Sequence, residues 1–377
     1  MKTTGTIQAH IHLCQTLFRG MAEKRTLIPW LQERIWLLEA AHTPETLAVS
    51  VILSLREIIS SGTTGLLDMG SVRHSDVTVS ILKESGIRAV ACNALMDLGP
   101  DYIVQPIEWL QKESDKVRKL CGGLVSYGFA PRFVLSCSKE LWQWLALEDR
   151  SILRTTHAAE SPQEMQNSRI AAAGGNIHLL HSMGFTGERT CLAHCVHLQP
   201  GEWEILRKTG TAVVHCPWTN LKLGSGIADI PGLIKSGVKV MLGSDGASCN
   251  NRLDLNGDLR LAMDLASVKA SPAIASGIRW MDIAGSFAAE FLGFSGFESD
   301  SVELELSETE EQELALCEDR NRYLMEIPGD GRVTKVTCAG KVIFDHGEFP
   351  TLPPLPLSVD KARETVWNRA LKLGMKP

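Results

Sequence analysis

The sequence predicts an α/β fold, a (β/α)8 TIM-type barrel followed by a truncated remnant of a small β-domain. Three observations carry this: eight short apolar runs, amphipathic stretches between them, and polar residues held back to the runs' last positions. The runs are TIQAHIH (6–12), TTGLLDM (63–69), RAVACNALM (88–96), LVSYGFA (124–130), ILRTTHA (152–158), TCLAHCVH (190–197), TAVVHCP (211–217) and VKVMLGSD (238–245). Near-continuous apolar runs suit parallel strands covered on both faces. The intervening stretches read as helices: 44–60 opens on Pro, and 200–209 has Pro in its first turn and stops at Gly210. No G-x-G-x-x-G follows a strand, which disfavours an open dinucleotide-binding sheet.

The barrel is expected over 1–297. Residues 298–319 hold ten Asp and Glu and no Lys or Arg, so 298–330 reads as a solvated acidic helix or linker rather than a packed element. RVTKVTC, a turn at Ala339–Gly340 and KVIF predict a lone β-hairpin within 331–358, and 359–377 a closing helix. A lone hairpin exposes an edge, and from this either a homo-oligomer is expected or packing of the hairpin on the barrel through the closing helix.

Composition narrows the function. Hydrophobic residues are 44% and charged residues 22%, ordinary for a globular chain, and the net charge of -6 argues against a phosphate-tracking nucleic-acid surface. The ten cysteines form no C-x-x-C pair, and several sit inside apolar runs, which suits a reducing cytoplasm. The opening residues MKTTGTIQAH lack an apolar leader. The greasiest region, 47–69, is broken by Arg56 and Glu57, so no membrane span is expected.

The chemistry is expected at one end of the barrel. The runs close on His10-x-His12, His157, His194, His215 and Asp245, and in a barrel the strands' carboxyl ends share one mouth. A single histidine there is more often structural than functional. His-x-His on a strand, however, puts both rings on one face, and a core holding so many unpaired polar groups would be costly. His10, His12, His157 and Asp245 therefore read as the ligands of one divalent ion per chain, zinc best, iron or nickel less so. The fourth run carries no Lys or Glu to bridge a second ion. Glu160, three residues after His157, reads either as a solvated carboxylate or as a general acid/base, and beside His157 the second is favoured. His194 would hold or deprotonate the attacking water. His215 is either a supporting or a structural histidine. H-E-x-x-H, G-x-S-x-G and P-loop signatures are absent from the sequence.

The strings HIHLCQTLFRG, PRFVLSCS, THAAES, LAHCVHL, HCPWTNLKLGSGIA and GSDGASCNNRLDL resemble the amidohydrolase superfamily. They point to its branch of cytosine, guanine and adenosine-type deaminases and s-triazine hydrolases. GSDGASCNN and HCVHL look most like 5'-deoxyadenosine, methylthioadenosine and S-adenosylhomocysteine deaminases. The resemblance implies the same metal set, His194 and Asp245 on the attacking water, and Glu160 protonating the ring nitrogen. It also implies Glu39, in RIWLLEAAH, on the ribose hydroxyls; from the residues alone Glu39 reads as a helix-surface carboxylate. Pro131-Arg132-Phe133 resembles guanine deaminases, which makes Arg132 a candidate substrate contact, although deoxyadenosine-type relatives also carry this Arg. The expected function is thus hydrolytic deamination of a small purine-type substrate. The alternatives are a guanine deaminase or s-triazine hydrolase of the same fold, and a catalytically silent relative acting as a binding partner. Two departures from the resemblance stand out: the strands that usually precede the His-x-His strand are missing, and the acidic stretch replaces the usual Gly-rich segment.

Overall fold

The computed structural model describes residues 1–326 and 332–377. One sheet is wholly parallel and contains β2 (Thr6–His12), β3 (Thr63–Asp68), β4 (Arg88–Leu95), β5 (Val125–Pro131), β6 (Leu153–Ala158), β7 (Thr190–His194), β8 (Ala212–His215), β9 (Val240–Leu242) and β10 (Asp245–Gly246). Its order runs from β10 through β2 and round to β9. β9 pairs with β8 and β10 pairs with β2, so one stretch of chain seals the ring. The expected eighth strand at 238–245 is therefore two short pieces. At Gly243, between them, a Cβ would lie 2.6 Å from the His10 carbonyl oxygen, so the seam needs glycine. The sixth and seventh runs also stop short of expectation, at His194 and His215; Pro217 already starts a helix.

Inside the ring Ile7, Ala9, Leu67, Val90, Val214 and Met241 pack with Phe291 and Leu292 from helix Ser286–Leu292. The second layer joins the strands' outer faces to the surrounding helices. Ile7 and Ala9 belong to the inner core, but Ile11 belongs to the outer layer. This change of face coincides with a register shift against β3 between Gln8 and Ile11. Such a shift re-aims side chains, and here it turns His10 and His12 inward at the barrel mouth.

The small sheet corrects the expectation of a solvated acidic linker and a lone hairpin. It is antiparallel, ordered β1 (Lys2–Thr3), β11 (Ser301–Leu304), β12 (Val333–Cys338), β13 (Lys341–Asp345). β11 lies inside the acidic stretch, with Ser301 and Val302 buried. Asp300, 2% exposed, accepts hydrogen bonds from Arg88 Nε and Nη2 at 2.9 and 3.0 Å and from Ala339 N at 2.8 Å. The acidic composition hid a buried ion pair that fastens this sheet to the barrel. The following helix, Glu308–Leu316, is largely exposed. Residues 327–331, where the expected linker and hairpin segments meet, lie outside the described residues. The hairpin has a third strand and packs on β3, with the Cys338 thiol 3.4 Å from the Thr64 carbonyl. β11 thus covers the β12 edge of the hairpin, and β13 remains an edge strand of the sheet. The closing helix is Val359–Lys372. Among the described residues no helix is long and apolar enough to cross a membrane.

Candidate active site

The mouth brings together four of the expected side chains. The candidate donor atoms of His10, His12, His157 and Asp245 all lie within 4.8 Å of one another. His12 Nε2 is 3.1 Å from His157 Nε2 and 3.3 Å from Asp245 Oδ1, and His10 Nε2 is 3.6 Å from Asp245 Oδ1. His215 is not in this donor set, although it is buried at the end of β8. His194 stands beside the set, its Nε2 3.8 Å from Asp245 Oδ2 and 3.5 Å from Glu160 Oε2. The backbone is left-handed at Ala159, His194 and Asp245, with φ of 49°, 75° and 60°. Non-glycine residues hold such conformations where the surrounding fold demands them, and these cluster at functional sites.

Protonation states follow from burial and partners. The His157 Nδ1–H donates to the Arg132 carbonyl at 2.6 Å, which leaves Nε2 with its lone pair facing the cluster. Burial pushes His12 and His157 well below the usual imidazole range, so both rings are neutral. Burial likewise lowers His194 to about 4 against the pull of Asp245, and lowers His215 to about 3. Burial acts to raise Asp245, but the imidazoles of His10, His12 and His194 outweigh it and hold the carboxyl well below its ordinary value. Glu160 goes the opposite way. Burial first, then the charges of Asp245 and Glu164, push it well above its ordinary value, which favours the protonated carboxyl.

A divalent ion fits this set. His10 Nε2, which faces Asp245 Oδ1 at 3.6 Å, is buried without a hydrogen-bond partner, a costly state unless something else satisfies it. Neutral imidazoles and an ionised carboxylate are the form in which these groups bind metal.

Glu39 and Arg132 pair with each other beside the donor set. Glu39 is no surface residue: it is buried, and Arg132 Nη1 and Nη2 donate to its two oxygens at 2.5 and 3.1 Å. Gln15 Nε2 adds a third bond at 2.9 Å. The space over the donor set is walled by Arg132 and by apolar Leu27, Trp30, Leu31, Phe133 and Leu223, and in this conformation it measures about 20 Å³. Three supporting residues went unremarked in the sequence. Asn220 Oδ1 lies 2.9 Å from His194 Nδ1, and Asp68 Oδ1 accepts from Leu13 N, just past His12, at 3.0 Å. The third is Glu164, and the capping-box pattern Ser161-Pro-Gln-Glu164 was the signal that could have found it.

The amidohydrolase family model matches residues 1–343. A 5'-deoxyadenosine deaminase of Methanothrix thermoacetophila is 32% identical over 356 residues, covering 91% of this chain and 82% of that protein. A 5-methylthioadenosine/S-adenosylhomocysteine deaminase of Syntrophomonas wolfei is 32% identical over 376 residues, covering 96% and 85%. The crystal structure of an adenosine deaminase from Xanthomonas campestris with bound zinc superposes with a TM-score of 0.87 at 25% identity, covering 98% of this chain and 86% of that one. With a barrel sealed beside His10 and a His/Asp donor set at its mouth, the chain belongs to the amidohydrolase family.

Proposed function

We propose that the protein is a metal-dependent deaminase that hydrolyses the amino group from the purine ring of a 5'-modified adenosine. The observation that carries this reading is the buried Glu160, its Oε2 3.5 Å from His194 Nε2, beside a donor set of three imidazoles and a carboxylate at the barrel mouth. The names of the 5'-deoxyadenosine and methylthioadenosine relatives support the substrate class. His10, His12, His157 and Asp245 would hold one divalent ion, and three nitrogens with one carboxylate favour zinc. When bound, the ion supplies Lewis-acid activation of water near neutral pH.

The residues' own tasks follow from the geometry. With its Nδ1–H turned to Asn220, His194 presents Nε2 as the base that takes one proton from the attacking water. The water oxygen bonds to the amino-bearing ring carbon while Glu160 gives its proton to the adjacent ring nitrogen. The carbon–amino bond then breaks, and the amino group leaves as ammonia with the proton held by His194. The remaining hydroxyl proton returns to Glu160 as the carbonyl forms. Apolar walls from Leu27, Trp30 and Phe133 exclude bulk water around these transfers.

Arg132, a candidate substrate contact from its sequence neighbours, is paired with Glu39 at the wall of the pocket. The intact donor set argues against a silent relative. All ten cysteines are free, which supports the cytoplasm as the setting. The test is ammonia release by zinc-loaded protein from 5'-deoxyadenosine, methylthioadenosine, S-adenosylhomocysteine, guanine and an s-triazine, compared directly. The 5'-modified adenosines are expected to give the highest kcat/KM; guanine or the triazine in first place overturns the assignment.

A further inference from the structure

Glu160 sits on a turn whose conformation is unfavourable by itself. Ala159, immediately before it, has φ 49°, a region costly for residues with a Cβ. The Ala159 carbonyl is pinned by Val196 N and His197 N, each at 2.9 Å. On the other side, the amides of Glu160 and Ser161 donate to Glu164 Oε1 at 2.7 and 3.0 Å. Asn176 Nδ2 donates to Glu164 Oε2 at 2.5 Å, and Glu164 is only 3% exposed. An ordinary capping box needs only the Ser161 amide. The second amide, the buried asparagine behind the carboxylate and the left-handed residue in front exceed what capping the short helix Pro162–Gln166 requires. We propose that Glu164 is a positioning residue for the deamination step: it fixes the Glu160 backbone so that the Glu160 side chain is delivered beside His194.

This inference rests on the role given to Glu160 under the proposed function. Displacing a proton donor by about an ångström costs on the order of a hundredfold in rate. Glu164→Ala is therefore expected to lower kcat about 10- to 100-fold, with KM within about threefold and zinc content unchanged. Glu164→Gln, which keeps an acceptor oxygen for the two amides, is expected to recover most of the loss. The decisive measurement is a double-mutant cycle. In a Glu160→Gln background, Glu164→Ala should lower the residual kcat no further, because the group it positions is already gone. An equal loss in both backgrounds, or loss of zinc, overturns the proposal.

Asn176→Ala is the gentler second variant should Glu164→Ala fail to fold. It keeps the carboxylate but removes the buried donor behind it, and its smaller kcat loss should vanish in the same background; persistence there overturns the proposal. Hydrogen exchange of the 158–163 peptide separates this claim from the choice of reaction. Faster exchange in the Glu164 variant is expected even if no purine is deaminated, in which case the functional reading alone falls. Unchanged exchange defeats the positioning role.

Discussion

Glu39 and Arg132 form a single buried unit, and each is the reason the other can be charged where it sits. Removing one partner of such a pair leaves an uncompensated charge and costs about 3–5 kcal/mol, whereas replacing both by apolar groups is often neutral. Glu39→Ala is therefore expected to lower the unfolding free energy by about 3–5 kcal/mol, and the Glu39→Ala/Arg132→Leu pair to recover most of it. Urea unfolding of the parent, the two single variants and the double variant checks this; simple addition of the two separate losses would show that the pair does not act as a unit. The same residues mark how far single positions were legible. His10, His12, His157, His194 and Asp245 stood out because polar groups interrupt apolar runs at one period and one end. Glu39 did not, because its burial depends on a residue 93 positions away that no local pattern reports.

The excursion between β2 and helix Pro44–Ser60 covers the site. It comprises Leu27–Trp30, a π-helical turn at Leu31–Ile35 and Trp36–Ala40, and it supplies Leu27, Trp30 and Leu31 to the pocket wall. About 20 Å³ above the donor set is too little for a purine ring, so a purine-type substrate requires the walls of the site to open. Its anchors are on helix Val359–Lys372 and the tail behind it. Arg363 Nη2 donates to the Arg19 carbonyl at 3.2 Å, Arg369 Nε to the Ala41 carbonyl at 2.7 Å, and Arg34 to main-chain oxygens of Lys376 and Pro377. The closing helix was legible from its amphipathic spacing, but its task was not, since these bonds join opposite ends of the chain. Arg34→Ala removes the middle anchor. Losing a charge-assisted bond of about 1.5–3 kcal/mol is expected to speed hydrogen exchange across 27–40 by roughly tenfold or more, a factor of ten being about 1.4 kcal/mol. Exchange in β2 should not change. Equal acceleration in both regions would mean that the whole molecule had been weakened and the cover had no separate hold.

At the scale of the molecule the barrel was readable because each strand announces itself locally, while its closure and the small sheet were not. β11 pairs with β12 some thirty positions on and with Lys2–Thr3 at the far end of the chain, and its acidic neighbours concealed it. The closure is a polar network. Gln8 Nε2 donates to Ser244 Oγ and the Leu253 carbonyl at 2.9 and 2.8 Å, and Ser244 N donates to Gln8 Oε1 at 2.9 Å. Asn250 Nδ2 bridges the Ser244 carbonyl and Asp258 Oδ2 at 2.8 and 3.0 Å. Burial pushes Asp258 up to about 8 despite hydrogen bonds from Ser244 and Asn250. In the unfolded chain an aspartate titrates near 3.9. Between these values the folded protein keeps a proton that the unfolded chain has released, so this residue makes stability fall as pH rises through that window and level off above about 8. The slope is about 1.4 kcal/mol per pH unit, hence up to about 4 kcal/mol between pH 5 and pH 8. Asp258→Asn keeps the shape and the neutral form at every pH. Other buried acids titrate in parent and variant alike, so the difference between the two unfolding free energies isolates Asp258. That difference is expected to move steadily in favour of Asp258→Asn from pH 5 to pH 8; a constant offset across the range would mean that Asp258 is ionised in the folded barrel and that the seam is held by charge.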